Sequence, residues 1–283
     1  MIFYGNVGAN AQEKNKKCSN HGVYMLEDVP VTREWGGQNK MKVFLTSSLN
    51  NYVEIDGKKV VKPIDNVNGL VDQLIDKLDD KKGITFIPSD FANKEAIKEY
   101  SNIVFESLRL SGIVFDNYYI LTNNEDEIEE MISSSSMVFI AGGDTYKQNC
   151  AFQNISLKNS LEQFSGVIMG QSAGAINLAQ DAYNSPECEE DLPIPSHFKG
   201  LGITNVNVEP HFVFDSNNFD ENEIFQRNEV LKESIHRAIY AICDTSHIFD
   251  DGDNQTLYGE GYLISNGNIV KLCEHVEKYE FNT

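Results

Sequence analysis

The stretch VIMGQSAGAINLAQ (residues 167–180) carries the strongest structural signal in the chain. It begins with an apolar run, continues with the motif GQSAG (170–174) and ends in a segment with a helical pattern. A strand, a tight turn and a helix in this order form a nucleophile elbow, which exposes a serine hydroxyl at the end of a strand. Glycines at 170 and 174 fit this turn because side chains there would crowd neighbouring backbone. The motif therefore predicts that Ser172 is a nucleophile.

Strand and helix patterns alternate upstream of the elbow. Near-continuous apolar runs separated by helices predict a parallel sheet that is buried on both faces. We therefore expect an α/β, flavodoxin-like three-layer sandwich with a mostly parallel central sheet and functional groups at the carboxyl ends of its strands. The predicted strands begin at Met41 and lie within 84–89, 116–122 and 137–145, and the predicted helices lie within 68–80, 93–112, 125–134 and 155–164.

The pattern is looser at both ends of the chain. Residues 1–40 show no sustained period, and we interpret them as an N-terminal extension to a single domain that spans 41–283. After residue 183 an acidic, proline-containing loop precedes a predicted strand, GITNVNVEPHF (202–212), a helix within 221–238 and short strand-like runs. The first residues do not have the charge order of a secretory signal.

The composition restricts the partners that the protein can have. With 23 basic and 43 acidic side chains, the net charge is −20, so nucleic acids and anionic membranes are not expected to bind. No stretch approaches the ~20 apolar residues of a membrane span. The five cysteines are odd in number and widely spaced, which predicts reduced thiols rather than disulfides or a zinc site. We expect a soluble cytoplasmic protein without a metal or organic cofactor.

A serine nucleophile needs a base, and usually a carboxylate that orients the base. Among the six histidines, His211 is the preferred base because it follows a predicted strand, and His197 and His247 remain alternatives. Asp244 is the preferred carboxylate because it follows the apolar run YAIC (240–243), and Asp191 and Asp215 remain alternatives.

The tetrahedral intermediate of acyl transfer also requires hydrogen-bond donors for its oxyanion. The amide of Ala173 follows the nucleophile directly, and Gly143 in the segment AGGDT (141–145) ends the preceding strand. We expect these two amides to form the oxyanion hole. The same segment also fits a plain strand-to-helix turn with Asp144 or Thr145 as the N-cap, and the two interpretations are compatible.

The chain resembles the peptidase S51 family, which includes aspartyl dipeptidase (peptidase E) and cyanophycinase within the class I glutamine-amidotransferase-like fold. The resemblance covers residues 41–275 and rests on four segments in the family's order: FIAGGDT (139–145), GQSAGA (170–175), GLGI to EPHF (200–212) and YAICDTSHI (240–248). It implies a catalytic triad of Ser172, His211 and Asp244, in which Asp replaces the Glu that is common in the family.

The resemblance also bears on the substrate. Aspartyl dipeptidases carry an arginine-bearing segment downstream of the histidine that recognises a substrate carboxylate. The corresponding stretch of this chain, DENEIFQRNEVLKES (220–234), has only Arg227, which is out of register, so a preference for Asp is not expected. The expected substrate-binding residues are Gly142, Asp144, Gln171 and Arg227.

The sequence thus predicts a serine peptidase that hydrolyses small peptides as a dipeptidase would, with a homodimer as the assembly considered. One alternative is an α/β-hydrolase esterase, in which Asp191 would precede His211 as the acid. Another is a protein of the same fold that binds a small molecule without turnover, since a fold alone does not establish activity.

Overall fold

The computed structural model describes residues 42–122, 125–214 and 219–281. The predicted N-terminal extension and Asp215 lie outside the described residues. The strands are β1 (Lys42–Thr46), β2 (Tyr52–Ile55), β3 (Lys58–Val61), β4 (Gly83–Ile87), β5 (Asn117–Ile120), β6 (Met137–Ile140), β7 (Val167–Gln171), β8 (Asp181–Tyr183), β9 (His197–Lys199), β10 (Val208–Glu209), β11 (Ile239–Ile242), β12 (His247–Asp250), β13 (Gln255–Tyr258), β14 (Gly261–Ser265), β15 (Asn268–Cys273) and β16 (Lys278–Glu280). The helices are α1 (Leu70–Lys77), α2 (Lys94–Leu110), α3 (Glu125–Ser133), α4 (Thr145–Asn154), α5 (Leu157–Glu162), α6 (Ala173–Leu178) and α7 (Glu221–Glu233).

Eight strands form the central sheet, in the order β16-β13-β12-β1-β7-β6-β4-β5. Five neighbouring strands run parallel to one another, namely β1, β7, β6, β4 and β5. Strands β12, β13 and β16 extend the sheet beyond β1 through antiparallel pairings. The predicted α/β fold with a mostly parallel central sheet is therefore confirmed. Parallel strands bring their carboxyl ends to one edge, so the segments that follow β1, β6 and β7 lie side by side.

Helices cover both faces of the central sheet, which makes the three layers of the fold. Successive side chains of a strand point to opposite faces, and Val43 and Leu45 of β1 pack with α3 to α6 whereas Phe44 packs with α1 and α2. Four of the five parallel strands are buried along almost their whole length. Burial on both faces explains why their sequences read as continuous apolar runs.

The C-terminal third of the chain forms a smaller four-stranded sheet, in the order β10-β11-β14-β15. Its strands β10 and β11 are parallel, with Val208 opposite Tyr240 and Glu209 opposite Ala241. This sheet packs its inner face on α7 through Val230, Ile239 and Tyr262. The parallel pair has a consequence for the site, because the residues that follow β10 and β11 emerge at the same edge.

Several elements differ from the sequence-based predictions, and one of them is β9, which lies in the predicted acidic loop and pairs with β8. The segment 202–212 forms only the two-residue strand β10, because Thr204 turns the chain by bonding Asp250 and the amide of Val206, and Pro210 lacks an amide to continue the ladder. Only the start of helix α4, with Asp144 or Thr145 as the N-cap, was predicted, and its buried Gln148 and Asn149 interrupt the usual apolar stripe. The hairpin of β2 and β3 was also not predicted, although Asp56-Gly57 is a typical two-residue turn.

Within the described residues, no helix combines the length and the apolar character that a membrane span requires.

Candidate active site

Ser172 occupies the turn between β7 and α6, as the elbow motif predicts. Its backbone has φ 50° and ψ −114°, a conformation that non-glycine residues rarely adopt, and its amide donates a hydrogen bond of 2.8 Å to Thr46 O at the end of β1. A Cβ at position 174 would stand 2.3 Å from Ile140 O, and one at position 170 would stand 2.7 Å from Gly174 C. The two glycines therefore allow the tight turn that leaves the side chain of Ser172 partly exposed.

His211 and Asp244 reach Ser172 from the smaller sheet. His211 follows β10 and Asp244 follows β11, so the parallel pairing of these strands brings both side chains to one edge. The distance from His211 Nε2 to Ser172 Oγ is 3.0 Å, and the distance from His211 Nδ1 to Asp244 Oδ1 is 2.7 Å. When Nδ1 carries the ring proton and donates a hydrogen bond to Asp244, Nε2 is unprotonated and can accept a proton from the Ser172 hydroxyl. The three side chains thus form a continuous hydrogen-bonded chain.

Ser47 links this chain to the central sheet, and sequence reasoning missed it. It follows β1 directly, is fully buried, and its hydroxyl donates a hydrogen bond of 2.7 Å to Asp244 Oδ1. The same hydroxyl accepts a 2.8 Å hydrogen bond from the amide of His211, which has an unusual positive φ of 59°. The amide of Ser48 gives Asp244 another donor at 3.2 Å. The only sequence signal was that small polar residues end the first strand.

The surroundings keep Asp244 ionised. Burial by itself would raise the pKa of this carboxyl, but the hydrogen bonds from His211, Ser47 and Ser48 together hold the pKa below its usual range. An ionised carboxylate at Nδ1 orients the imidazole and stabilises the positive charge that the ring gains when it takes a proton.

A second carboxyl, Glu209, lies two residues before His211 and is buried. Burial raises its pKa to about 7, although hydrogen bonds from Ser185 (2.7 Å) and Gln226 (3.1 Å) to Oε1 act in the opposite direction. Its other oxygen, Oε2, has no hydrogen-bond partner among the described residues. Close to neutrality this carboxyl is therefore divided between its protonated and ionised forms, next to the segment that carries the histidine.

The expected oxyanion donors lie at the same edge of the sheet. Ala173 is the first residue of α6, and Gly142 and Gly143 follow β6, the neighbour of β7. A Cβ at position 142 would stand 3.3 Å from Ser172 Cβ, so this loop passes directly beside the serine. Gly143 has φ 147°, and a Cβ there would collide with Ser89 Oγ at 2.3 Å. Only glycine fits here, and the role of the two amides in holding an oxyanion stays a prediction.

The other expected substrate-binding residues have partners within the protein. Asp144 caps α4 by accepting a hydrogen bond from the amide of Lys147 at 2.9 Å, as the alternative interpretation of the turn predicts. Gln171 is buried, and its side-chain oxygen accepts a hydrogen bond from the hydroxyl of Tyr100. Arg227 donates to Phe214 O at 2.8 Å and packs over aromatic rings. Among the described residues, none of these three side chains has a hydrogen bond with Ser172.

The alternative bases and acids lie elsewhere. His197 is 2.9 Å from Glu233, and His247 is fully buried with no hydrogen-bond partner for either ring nitrogen among the described residues. Asp191 accepts hydrogen bonds from the amides of Glu187 and Cys188 in a short 3-10 turn. In this geometry His211 contacts Asp244, and the arrangement that an α/β-hydrolase esterase would need, with Asp191 on His211, is absent from the described contacts.

In the described part of the chain, no cluster of three or more His, Cys, Asp or Glu residues could hold a metal ion.

Fold and site define an α/β protein with a serine at a nucleophile elbow and a histidine and a carboxylate beside it. The model of the family described as peptidase family S51 matches residues 62–258. The chain belongs to this family, which confirms the resemblance of its motifs. A peptidase is therefore the class of enzyme that the comparison supports.

Known relatives agree with this assignment. An uncharacterized peptidase of Pasteurella multocida (strain Pm70) is 26% identical over 137 residues, which are 46% of this chain and 65% of the relative. The crystal structure of a peptidase from an acI-B1 actinobacterium has a TM-score of 0.60 at 16% identity and covers 87% of this chain and 98% of its own. A peptidase E-like protein from Listeria monocytogenes EGD-e has a TM-score of 0.51 at 18% identity, with 76% and 96% covered. At these identities the two structures show a common fold.

Proposed function

We propose that the protein is a serine peptidase that hydrolyses small peptides through Ser172, His211 and Asp244. The observation that carries the proposal is the pair of distances on the histidine, 3.0 Å from Nε2 to Ser172 Oγ and 2.7 Å from Nδ1 to Asp244 Oδ1. A nucleophile and its base within hydrogen-bond reach, with the base oriented by a third group, is the arrangement that nucleophilic catalysis requires.

The first half of the proposed reaction forms an acyl-enzyme. His211 Nε2 takes the proton of Ser172 as Oγ attacks the carbonyl carbon of a peptide bond. The negative charge that develops on the carbonyl oxygen is held by the amides of Gly143 and Ala173. His211 then gives its proton to the leaving amine, the C–N bond breaks, and the acyl group remains on Ser172.

Water completes the cycle. His211 removes a proton from the water molecule as its oxygen attacks the ester carbon, and it returns that proton to Ser172 Oγ when the acid product leaves. Asp244 stays ionised throughout and stabilises the imidazolium form of His211. All of these steps use side chains and amides of the protein, so the proposal involves no metal or organic cofactor.

A small substrate is supported by the space beside the histidine. A cavity of about 590 Å³ opens next to His211 and Asp244, which is within the range of ~300–1,000 Å³ that small-ligand pockets have. Dipeptides are the substrates that we propose. A cytoplasmic location, expected from the cysteine pattern, belongs to the same proposal. The homodimer considered from the sequence stays a prediction.

The test is hydrolysis of a panel of dipeptides and aminoacyl amides by the wild-type protein, Ser172→Ala and Ser165→Ala. Ser165 is an exposed serine between α5 and β7 and serves as the matched control. We expect turnover by the wild type and by Ser165→Ala, and none above background by Ser172→Ala. Equal turnover by Ser172→Ala would contradict the proposal. Absence of turnover in all three proteins would favour the alternative of a binding protein without catalysis.

A further inference from the structure

The cavity beside His211 and Asp244 has an aromatic wall. It is lined by the loop after β10, through Phe212, Val213 and Phe214, and by Tyr262 of β14. The rings of Phe214 and Tyr262 stack with centroids 4.9 Å apart and an angle of 16°, and the rings of Phe212 and Tyr262 are 5.3 Å apart. Val213 and Phe214 are 52% and 42% exposed. Large apolar side chains at the surface next to a reactive group are suited to contact a ligand.

Arg227 contacts the two phenylalanines of this aromatic wall, Phe212 and Phe214. Its guanidinium carbon lies 5.9 Å from the ring centroid of Phe212 and 5.3 Å from that of Phe214, within the range of a cation–π contact. Its Nη1 also donates a hydrogen bond of 2.8 Å to Phe214 O. Arg227 is therefore engaged by the loop itself, in contrast to an arginine that presents its charge to a substrate carboxylate.

Besides Cys243, the cavity is lined by Lys271 and Glu260, whose charges pair with each other and with neighbouring side chains. Lys271 on β15 lies 3.0 Å from Glu260 and 2.9 Å from Glu274, and its ammonium group stands 5.3 Å from the ring centroid of Tyr262. Glu260 also accepts a hydrogen bond from the Tyr262 hydroxyl and lies 3.3 Å from His275 Nε2. Lys271 is the one lysine or arginine among the residues that line this cavity, and two carboxylates already surround it.

The balance of these groups decides which side chain the cavity accepts. Glu260 and Asp244 both line it, so an acidic side chain would leave water, lie on aromatic rings and meet two carboxylates with no unpaired cation to offset them. A neutral aromatic or large aliphatic side chain loses no hydration of a charge and gains contact with Phe212 and Phe214, whose rings pack on the buried Tyr262.

We propose that this cavity, the aromatic pocket, receives an apolar or aromatic side chain of the residue that flanks the scissile bond. The inference rests on the proposed function and gives it a substrate class: dipeptides with a bulky apolar residue rather than an acidic one. Phe214, which is 42% exposed, is the specificity-determining residue, and the buried ring of Tyr262 supports it from below.

The test measures both hydrolysis and binding of dipeptides that carry Phe, Asp or Lys beside Ala, in both orders. For the wild type we expect kcat/KM for the better Phe peptide to exceed that of its Asp and Lys counterparts by about tenfold or more. Phe214→Ala should lower kcat/KM for the Phe peptide about tenfold, and by more than it lowers kcat/KM for Ala-Ala. Val270→Ala, an exposed change on β15 outside the pocket lining, is the matched control and should leave the preference unchanged.

Binding of the same peptides to Ser172→Ala, measured by calorimetry, separates this inference from the proposed function. Tighter binding of the Phe peptide than of the Asp peptide, lost when Phe214→Ala is added, supports the aromatic pocket whether or not the wild type shows turnover. Equal binding of the two peptides, or stronger binding of the Asp or Lys peptide, overturns it. Turnover that depends on Ser172 without a preference for Phe would support the proposed function and contradict the role of the aromatic pocket in substrate preference.

Discussion

The hydroxyl of Ser47 donates a hydrogen bond of 2.7 Å to Asp244, a residue 197 positions further along the chain. Ser47 directly follows β1 of the central sheet, whereas Asp244 follows β11 of the smaller sheet. Because the same hydroxyl accepts a hydrogen bond from the His211 amide, one buried side chain positions both residues that approach Ser172. The distance between the histidine and the serine thus depends on a contact that joins the two sheets.

Replacement of Ser47 by Ala is expected to lower kcat about 10- to 100-fold with little change in KM. A hydrogen bond to a charged group contributes about 1.5–3 kcal/mol, and its loss would weaken the hold on Asp244 and on the His211 backbone. The measurement is steady-state kinetics on the preferred dipeptide, together with the melting temperature.

Ser48→Ala is the control for this change, because Asp244 uses the backbone amide of Ser48 and not its hydroxyl. The control should keep kcat within about twofold of the wild type. A kcat for Ser47→Ala equal to that of the control would show that the contact between the sheets does not position the site.

The identity of the acid is tested by replacing the two candidate aspartates one at a time. Asp244→Asn keeps the shape of the side chain but removes the charge that stabilises the imidazolium, so kcat should fall on the order of 10⁴-fold. Asp191→Asn should stay within a few-fold of the wild type, because Asp191 caps its own turn. The opposite ranking in kcat would favour the α/β-hydrolase arrangement over the one described above.

His247 makes the stability of the protein sensitive to acid. Burial lowers the pKa of this histidine from 6.5 to about 3, so the folded protein keeps it neutral while the unfolded chain binds a proton below pH 6.5. The unfolded state binds more protons in this window, and the free energy of unfolding therefore falls as the pH falls from about 6.5 towards 3. The contribution amounts to about 2 kcal/mol between pH 7.5 and pH 5.

The comparison of the wild type with His247→Leu isolates this effect from other titrating groups. Urea unfolding at pH 7.5, 6 and 5 should show the variant gaining about 2 kcal/mol relative to the wild type as the pH decreases. His236→Leu, a change at an exposed position, should show no such trend. A difference between wild type and His247→Leu that stays constant with pH would mean that His247 is not buried in its neutral form.

The central sheet could be predicted from the sequence because its strands are buried on both faces and its helices have one apolar side. Helix α2, for example, begins after Asn93, whose side chain accepts a hydrogen bond from the Ala96 amide, and ends just before Gly112. Ser172 stood out because the elbow is a local feature of five residues. His211 and Asp244 were chosen as candidates because each follows a run with a strand pattern, and the structure brings both side chains to Ser172.

What the sequence did not reveal depends on contacts between distant segments. Ser47 is one of several small polar residues after a strand, and only its contacts with His211 and Asp244 distinguish it. The aromatic pocket needs the loop after β10 to meet β14 and β15, which no local pattern indicates. The extent of helix α4 was not predicted, because its buried positions include Gln148 and Asn149, which donate hydrogen bonds to Ala141 O and Asn177 Oδ1.

Labelling with a serine-directed phosphonate, followed by intact-mass and peptide mass spectrometry, identifies the nucleophile. The wild-type protein should gain one phosphonyl group, located on Ser172, and the rate of labelling should fall strongly in Asp244→Asn. Ser165→Ala should be labelled as fast as the wild type, and Ser172→Ala should remain unlabelled. Labelling of Ser172→Ala at the wild-type rate, or of a different serine in the wild type, would contradict the assignment of Ser172 as the nucleophile.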